Sequence, residues 1–450
     1  MEVFKMTSVK IDFSNINGII KPMHAVNNGP IGTSVRGVGN FKDFQNAGIP
    51  FARNHDASFC STYGGEHTVD VHRIFKNFDA DENDPASYVF APTDQYLKNT
   101  LESGTQIFYR LGASIEHGYK QGTYPPKDFE KWARICEHII MHYNDGWANG
   151  FHFDIKYWEI WNEPDCRNAD GSNPCWQGTD EEFIDFYCTA ATHLKNRFPD
   201  LLIGGPAFCS RKVTEFKEKF LSEVQKRNAP LDFFSYHLYK NDPLAFEEAA
   251  KDNRAALDKY GFVDTPAILN EWNYIKGWMG EDFKYSLKTI AGLKGASYIS
   301  AVFCTSQASP IDMLMYYDAR PCGFCGLFTP YTYEPLKPYY TFYMFNQLYK
   351  QKNSVKCEFE HDNVYTCASK DESSCSIFMT YFDDTEKEAS KNVSLELDGL
   401  DTGDFKVSCT ALDNKNDAEL IWEKQISQDA KEISFDIPLF ATYLIKIQKI

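Results

Sequence analysis

The chain has 450 residues, too many for one ordinary core and enough for two or three domains, or one large barrel with an appendage. Its 46 Lys and Arg against 63 Asp and Glu leave a net charge of −17, which argues against the basic surface needed for non-specific nucleic-acid or anionic-membrane binding. Hydrophobic residues make up 43% of the chain, so it is not a disordered one, and the 15% of aromatic residues suits a large core, a ligand site built on ring faces, or both.

In chain order, residues 1–18 carry no apolar stretch behind a basic start, so they do not read as a secretory signal. The segment 9–14 (VKIDFS) alternates apolar and polar residues and reads as a strand, within a unit 1–20 that joins a later β-domain. Eight apolar runs follow, at 30–35, 49–55, 106–112, 156–163, 201–208, 232–239, 266–272 and 299–307. Amphipathic helical stretches separate them, at 127–145, 179–198, 212–228, 243–260 and 281–294. Parallel strands covered by helices on their outer face read as continuous apolar runs. The pattern therefore predicts a (β/α)8 TIM barrel over 21–350, closed by an aromatic helix within 326–349. A doubly wound open sheet is the structural alternative, and the missing G-x-G-x-x-G after the first strand weighs against its nucleotide-binding form. From 351 to 450 the period changes to two, with D/N/G/K turns, which predicts an antiparallel β-sandwich.

No run approaches the ~18 apolar residues of a membrane span. The 13 cysteines are odd in number and scattered, and read as reduced thiols of a cytoplasmic protein. Cys322 and Cys325 form a lone C-x-x-C, a weak zinc signal; Cys166 and Cys175 share one loop and can pair under oxidation. The N-x-S sequon at Asn392 carries no meaning without secretion.

Chemistry concentrates at strand ends. Trp161-Asn162-Glu163-Pro164 ends the fourth predicted strand and Asn270-Glu271-Trp272 the seventh. Two glutamates at the carboxyl ends of barrel strands converge over the mouth, and facing carboxylates suit glycoside hydrolysis. Side-chain parity places Arg53 with His55, His237 with Tyr239, and Leu269 with Glu271 on common faces. Arg53 and Tyr239 then support the Glu271 carboxylate, and Asn162 reads a sugar hydroxyl. Glu159, deeper on the fourth strand, pairs with a strand-end cation. His55 as a core histidine, His237 and Tyr239 as barrel filling, and a metal at His55, Asp56 and His237 are the competing readings. Trp176, Trp272, Trp278, Tyr316, Tyr317 and Phe328 are candidate sugar-stacking rings, with Trp272 and Tyr317 the preferred pair.

With Arg-x-His on strand two and His-x-Tyr on strand six, these motifs resemble the retaining glycosidases of the 4/7 barrel clan. Within it the chain is most similar to glycoside hydrolase family 39, the β-xylosidases and α-L-iduronidases, which join such a barrel to a β-sandwich. The resemblance implies Glu163 as general acid/base, Glu271 as nucleophile, and His55, Asn162, His237 and Tyr239 around the −1 subsite.

The expectation is a retaining, exo-acting hydrolase of short oligosaccharides or other glycosides, with no metal or cofactor and with homo-oligomerisation open. β-Xylosidase is the first choice; α-L-arabinosidase or arabinobiosidase, β-galactosidase and α-L-iduronidase-like activities are alternatives. The long loops Asp56–Pro85, Pro164–Thr179 and Ala308–Thr329 suit a closed pocket, and Arg167, Lys276 and Arg320 are the loop cations a uronate would need. The rival classes are a non-catalytic carbohydrate-binding barrel and a metal-dependent barrel enzyme.

Overall fold

The computed structural model of the chain describes residues 6–32, 39–55, 68–113, 122–324, 326–359, 362–427 and 432–450. Strand β1 (Thr7–Ile19) comes first and lies in the later β-sheet. Eight strands then form a closed barrel: β2 (Ala25–Asn27), β3 (Phe51–Asn54), β4 (Gln106–Leu111), β5 (Tyr157–Ile160), β6 (Leu202–Phe208), β7 (Phe234–Tyr239), β8 (Ala267–Asn273) and β9 (Met313–Tyr316). Neighbours pair in parallel in chain order, and β9 returns to β2. Ala25, Phe108, Phe233, Ile268, Met313 and Met315 fill the barrel interior below the mouth. Side chains of this kind make the barrel a packed core with chemistry only at its rim.

Two predicted strands are displaced. The first barrel strand is Ala25–Asn27, ahead of the predicted 30–35, of which 33–35 lie outside the described residues. Residues 299–307 belong to a helix, Leu293–Gln307, and the eighth strand is the short Met313–Tyr316. The cause is burial: that helix is covered by the barrel on one side and the second domain on the other. Tyr298 packs on Phe382, Ser297 Oγ bonds Thr380 Oγ1 at 2.8 Å, and Thr442 Oγ1 donates to Ser300 Oγ at 2.9 Å. A helix buried on every face has no polar stripe, and its sequence is indistinguishable from a strand by periodicity.

The second domain is one nine-stranded sheet that curls over its own core. Its strands are β1 with β10 (Asn353–Phe359), β11 (Val364–Lys370), β12 (Ser374–Tyr381), β13 (Ser390–Asp398), β14 (Asp404–Leu412), β15 (Asp417–Ser427), β16 (Glu432–Pro438) and β17 (Thr442–Lys449). They run in the order β15-β14-β17-β12-β11-β10-β1-β13-β16. All pairings are antiparallel except β1 with β13. Val9, Ile11 and Phe13 of β1 alternate inward and share one apolar core with Val407 of β14, Ile433 of β16 and Ile445 of β17. Among the described residues no helix is long and apolar enough to cross a membrane.

Candidate active site

The site is assembled at the carboxyl ends of β3, β5, β7 and β8, and two backbone irregularities aim its carboxylates. On β8 the pairing with β7 shifts by one residue: Tyr236 faces Leu269, but His237 faces Glu271. Asn270 is thus an extra residue, a bulge of the kind that re-aims side chains beside active sites. Ile268 points into the barrel, Leu269 joins the apolar layer under the helices, and Asn270 and Glu271 both turn inward. Simple alternation, which puts Leu269 and Glu271 on one face, fails at this bulge.

On β5 the break comes from Trp161, whose φ is 76°, and Glu163, whose φ is 51°. Left-handed backbone at non-glycine residues costs about 1–3 kcal/mol each and persists only where the surroundings enforce it. Here Trp161 N–H donates to Leu111 O at 2.8 Å, its indole donates to Cys175 O at 3.0 Å, and Glu163 N–H donates to Ala207 O at 2.9 Å. The indole packs edge-on against Trp176 and Phe186. It also lies over Gly112, where a Cβ would come within 2.7 Å of the ring. Trp161 is therefore the anchor of the strand end, and Asn162 and Glu163 are what it presents.

Arg53, fully buried on β3, organises the floor. Its Nε donates to Glu159 Oε2 at 2.6 Å, Nη1 to Glu271 Oε1 at 2.8 Å and to Asn27 Oδ1 at 3.2 Å, and Nη2 to Asn162 Oδ1 at 2.7 Å. Burial works against its charge, but Glu159 and Glu271 outweigh that and hold the guanidinium above its ordinary value. Glu159 is satisfied from the other side by Ser235 Oγ at 2.6 Å and Asn270 Nδ2 at 2.5 Å. It is the partner that keeps a buried arginine in place. The bond from Arg53 also orients Asn162, leaving its Nδ2 as a donor at the mouth.

Glu271 is surrounded by donors. Besides Arg53, Tyr239 Oη donates to Oε2 at 2.9 Å, His55 Nε2 lies 3.4 Å from Oε1, and His237 Nδ1 lies 3.5 Å from Oε2. His55 is fixed in that orientation by Arg110, whose Nε donates to His55 Nδ1 at 3.1 Å and whose Nη2 meets His55 O and Asp70. The imidazole proton therefore sits on Nε2, facing Glu271. Burial, with Arg53 and Arg110 close by, keeps His55 well below its ordinary pKa. Burial holds His237 down at about 4 against the pull of Glu271, and lifts the Tyr239 hydroxyl well above its usual value. A carboxylate bonded by an arginine and a tyrosine, with two imidazoles at its edge, is stabilised in its ionised form.

Glu163 has the opposite environment. His237 Nδ1 lies 2.8 Å from Oε1, while among the described residues Oε2 meets the Cys175 thiol alone, at 3.8 Å. Burial pushes its carboxyl up to about 8, Cys166 and Asp165 act in the same direction, and Arg53 only partly offsets them. Oxygens of Glu163 and Glu271 and the His237 nitrogen lie within 4.8 Å of one another. A metal could be held by that triad or by Glu163 with Cys166 and Cys175.

The structure thus gathers Arg53, His55, Asn162, Glu163, His237, Tyr239 and Glu271 at one mouth. Tyr317, half-buried after β9, closes one side with its ring 6.3 Å from His55 and 6.4 Å from Tyr239. Trp272 does not belong there, which corrects the expectation that it stacks on sugar. It is fully buried and packs outward on Phe246, Phe303 and Tyr316, because the residue after the inward Glu271 must face the helices. Trp176, Tyr316 and Phe328 are likewise buried packing rings. Trp278 is 56% exposed, beside Tyr239 and Phe324 at the rim. Asp56 and Cys325 lie outside the described residues. Sequence reading missed Asn27, Arg110 and Ser235; an arginine inside the apolar run 106–112 was the available signal, since a buried charge requires a partner.

Comparison with known proteins follows the same lines. A 212-residue stretch is 30% identical to a β-xylosidase of Caldicellulosiruptor saccharolyticus, covering 42% of this chain and 41% of that protein. A 200-residue stretch is 30% identical to a β-xylosidase of Geobacillus stearothermophilus, covering 40% and 36%. These matches span about two fifths of the relatives' own length. Among solved structures, a glucosidase from Croceicoccus marinus superposes with a TM-score of 0.79 at 20% identity, covering 99% of this chain and 100% of that one. A monomeric β-xylosidase from Caulobacter crescentus gives 0.70 at 15%, covering 98% and 99%. The sequence profile of glycosyl hydrolases family 39 matches residues 60–424, most of the chain, and the protein belongs to that family.

Proposed function

We propose that the protein is a retaining, exo-acting glycoside hydrolase, with Glu271 as nucleophile and Glu163 as general acid/base. The observation that carries this is the pair itself: buried Glu271 and half-buried Glu163, with carboxyl oxygens within 4.8 Å of each other, in opposite surroundings. Retaining enzymes hold their carboxyls about 5–5.5 Å apart, whereas inverting ones leave about 6.5–9.5 Å for a water. Glu271, ringed by donors, attacks the anomeric carbon while protonated Glu163 gives its proton to the departing oxygen. Esterification removes the charge of Glu271, the pKa of Glu163 falls, and Glu163 activates the water that releases the sugar. Asn162, oriented by Arg53, donates to the hydroxyl next to the reacting carbon.

The preferred substrate is a short β-xyloside. The two partial relatives named β-xylosidase support this, as does the state of the loop cations. Arg167 engages Asp180, Lys276 lies 3.7 Å from Asp282, and Arg320 lies 3.0 Å from Asp318. Cations already facing carboxylates suit a neutral sugar better than a uronate. The test is a panel of aryl glycosides (β-xyloside, α-L-arabinosides, β-galactoside, β-glucoside, α-L-iduronide) with the first-formed anomer followed by NMR. The β-xyloside should give the highest kcat/KM with retained configuration. A first product of inverted configuration contradicts the mechanism, and a preference for another sugar contradicts the specificity alone.

A further inference from the structure

The Glu163 carboxyl has two ends. Oε1 meets His237 across the mouth, while Oε2 turns to the loop between β5 and the helix Asp180–Arg197, 3.8 Å from Cys175 Sγ. Cys166 folds back on the same point, its backbone N–H donating to Glu163 O at 3.1 Å. One ligand atom each from Glu163, Cys166 and Cys175 lie within 4.8 Å of one another. The Cys166 thiol also engages that of Cys209, after β6. Two-carboxylate hydrolysis has no use for a thiol here, still less for three.

The cluster is built on held backbone. Asn173 Oδ1 accepts from the N–H of Cys175 at 2.8 Å and of Trp176 at 2.9 Å, and Asn173 Nδ2 donates to Pro164 O at 2.6 Å. Asp165 accepts from the N–H groups of Cys209 at 2.8 Å and Ser210 at 3.2 Å. A capping box, Thr179 with Glu182, fixes where the loop ends. Cys175 is 1% exposed, so its thiol cannot swing away into solvent.

We infer that Cys166, Cys175 and Glu163 form a binding site for a thiophilic ion of the zinc type, and that the bound ion locks Glu163. Two thiolates and one carboxylate select zinc over magnesium or calcium, and three protein ligands leave a fourth position for water. With Zn–S distances of about 2.3 Å, neighbouring ligands stand about 3.8 Å apart, so side-chain rotation of about 1 Å or less closes the site. Binding displaces whatever protons the two thiols and Glu163 carry. Once Oε2 is on the ion, Glu163 has no proton for a leaving group. Zinc then acts as a reversible inhibitor, a consequence that rests on Glu163 being the acid/base.

The experiment uses the reduced full chain. Calorimetric titration with Zn²⁺ should show one site per chain, weakened at least ~100-fold in the Cys166→Ser/Cys175→Ser double variant and unchanged in Cys375→Ser, a thiol of the other domain. X-ray absorption of the zinc-loaded native protein should show two sulfurs at about 2.3 Å with lighter ligands at about 2.0–2.2 Å. It decides the matter if the double variant does not fold. Zinc held equally by the double variant, or a shell with no sulfur or four, overturns the site. Neither readout needs turnover, so a failed glycoside panel leaves the site standing. Zinc bound with two sulfurs but no chelator-reversible loss of hydrolysis, where azide rescue of Glu163→Ala has shown Glu163 to be the acid/base, removes Glu163 as a ligand.

Discussion

The ends of β5 and β8 carry the same functional group in contrasting settings. At β8, Glu271 receives an arginine, a tyrosine and two imidazoles. At β5, Glu163 has one imidazole and a thiol for company, and burial raises its pKa to about 8. Two identical carboxyls therefore meet opposite pressures: bonded donors favour the charge on Glu271, while burial, Cys166 and Asp165 favour the proton on Glu163. Arg53 bonds Glu271 directly and acts on Glu163 only at a distance, and in the proposed mechanism that difference divides nucleophile from acid.

Removing the paired member should have the largest effect. Glu271→Ala should lower kcat/KM by ~10⁴-fold or more for every glycoside, whatever its leaving group. Glu163→Ala should break the comparison differently. Poor leaving groups should lose ~10²–10⁴-fold, activated aryl glycosides should keep their first step, and azide should restore the second and yield a glycosyl azide. Equal loss across leaving groups, with no azide effect, would contradict the assignment of Glu163.

Smaller changes sharpen the contrast. Tyr239→Phe removes one donor to Glu271 and should cost ~10–100-fold in kcat, as expected for a hydrogen bond to a charged group, with the fold retained by circular dichroism. The pH profile of kcat/KM should fall on its alkaline side near the Glu163 value of about 8. Stability carries the same signature. The folded chain holds the Glu163 proton above the unfolded value of 4.5, so ionisation costs stability progressively from there up to about pH 8. Glu163→Gln should match the native protein in thermal unfolding below pH 4 and exceed it in Tm above pH 8.

Much of this was legible in the sequence. The two glutamate motifs lie at strand ends, and Arg53, His55, His237 and Tyr239 followed from alternation along regular strands. What alternation could not supply were the places where it stops. The Asn270 bulge and the positive φ of Trp161 decide which residues of β8 and β5 face inward, and neither leaves a mark in hydrophobic pattern. Trp272 was misassigned for a different reason, since alternation holds from Glu271 onward and sends it outward: an aromatic residue next to a glutamate motif reads the same whether it faces sugar or helix. The helix Leu293–Gln307 was misread because two domains bury it, a fact that resides in tertiary structure. Arg110, Asn27 and Ser235 were hidden because buried polar partners announce themselves only through what they contact.

The most direct test is covalent trapping with a 2-deoxy-2-fluoro glycoside bearing a good leaving group, of the sugar preferred in the aryl glycoside panel, followed by peptide mass spectrometry. The account expects one sugar per chain, esterified to Glu271. A sugar on Glu163, or hydrolysis of the preferred glycoside with inverted configuration, would contradict it.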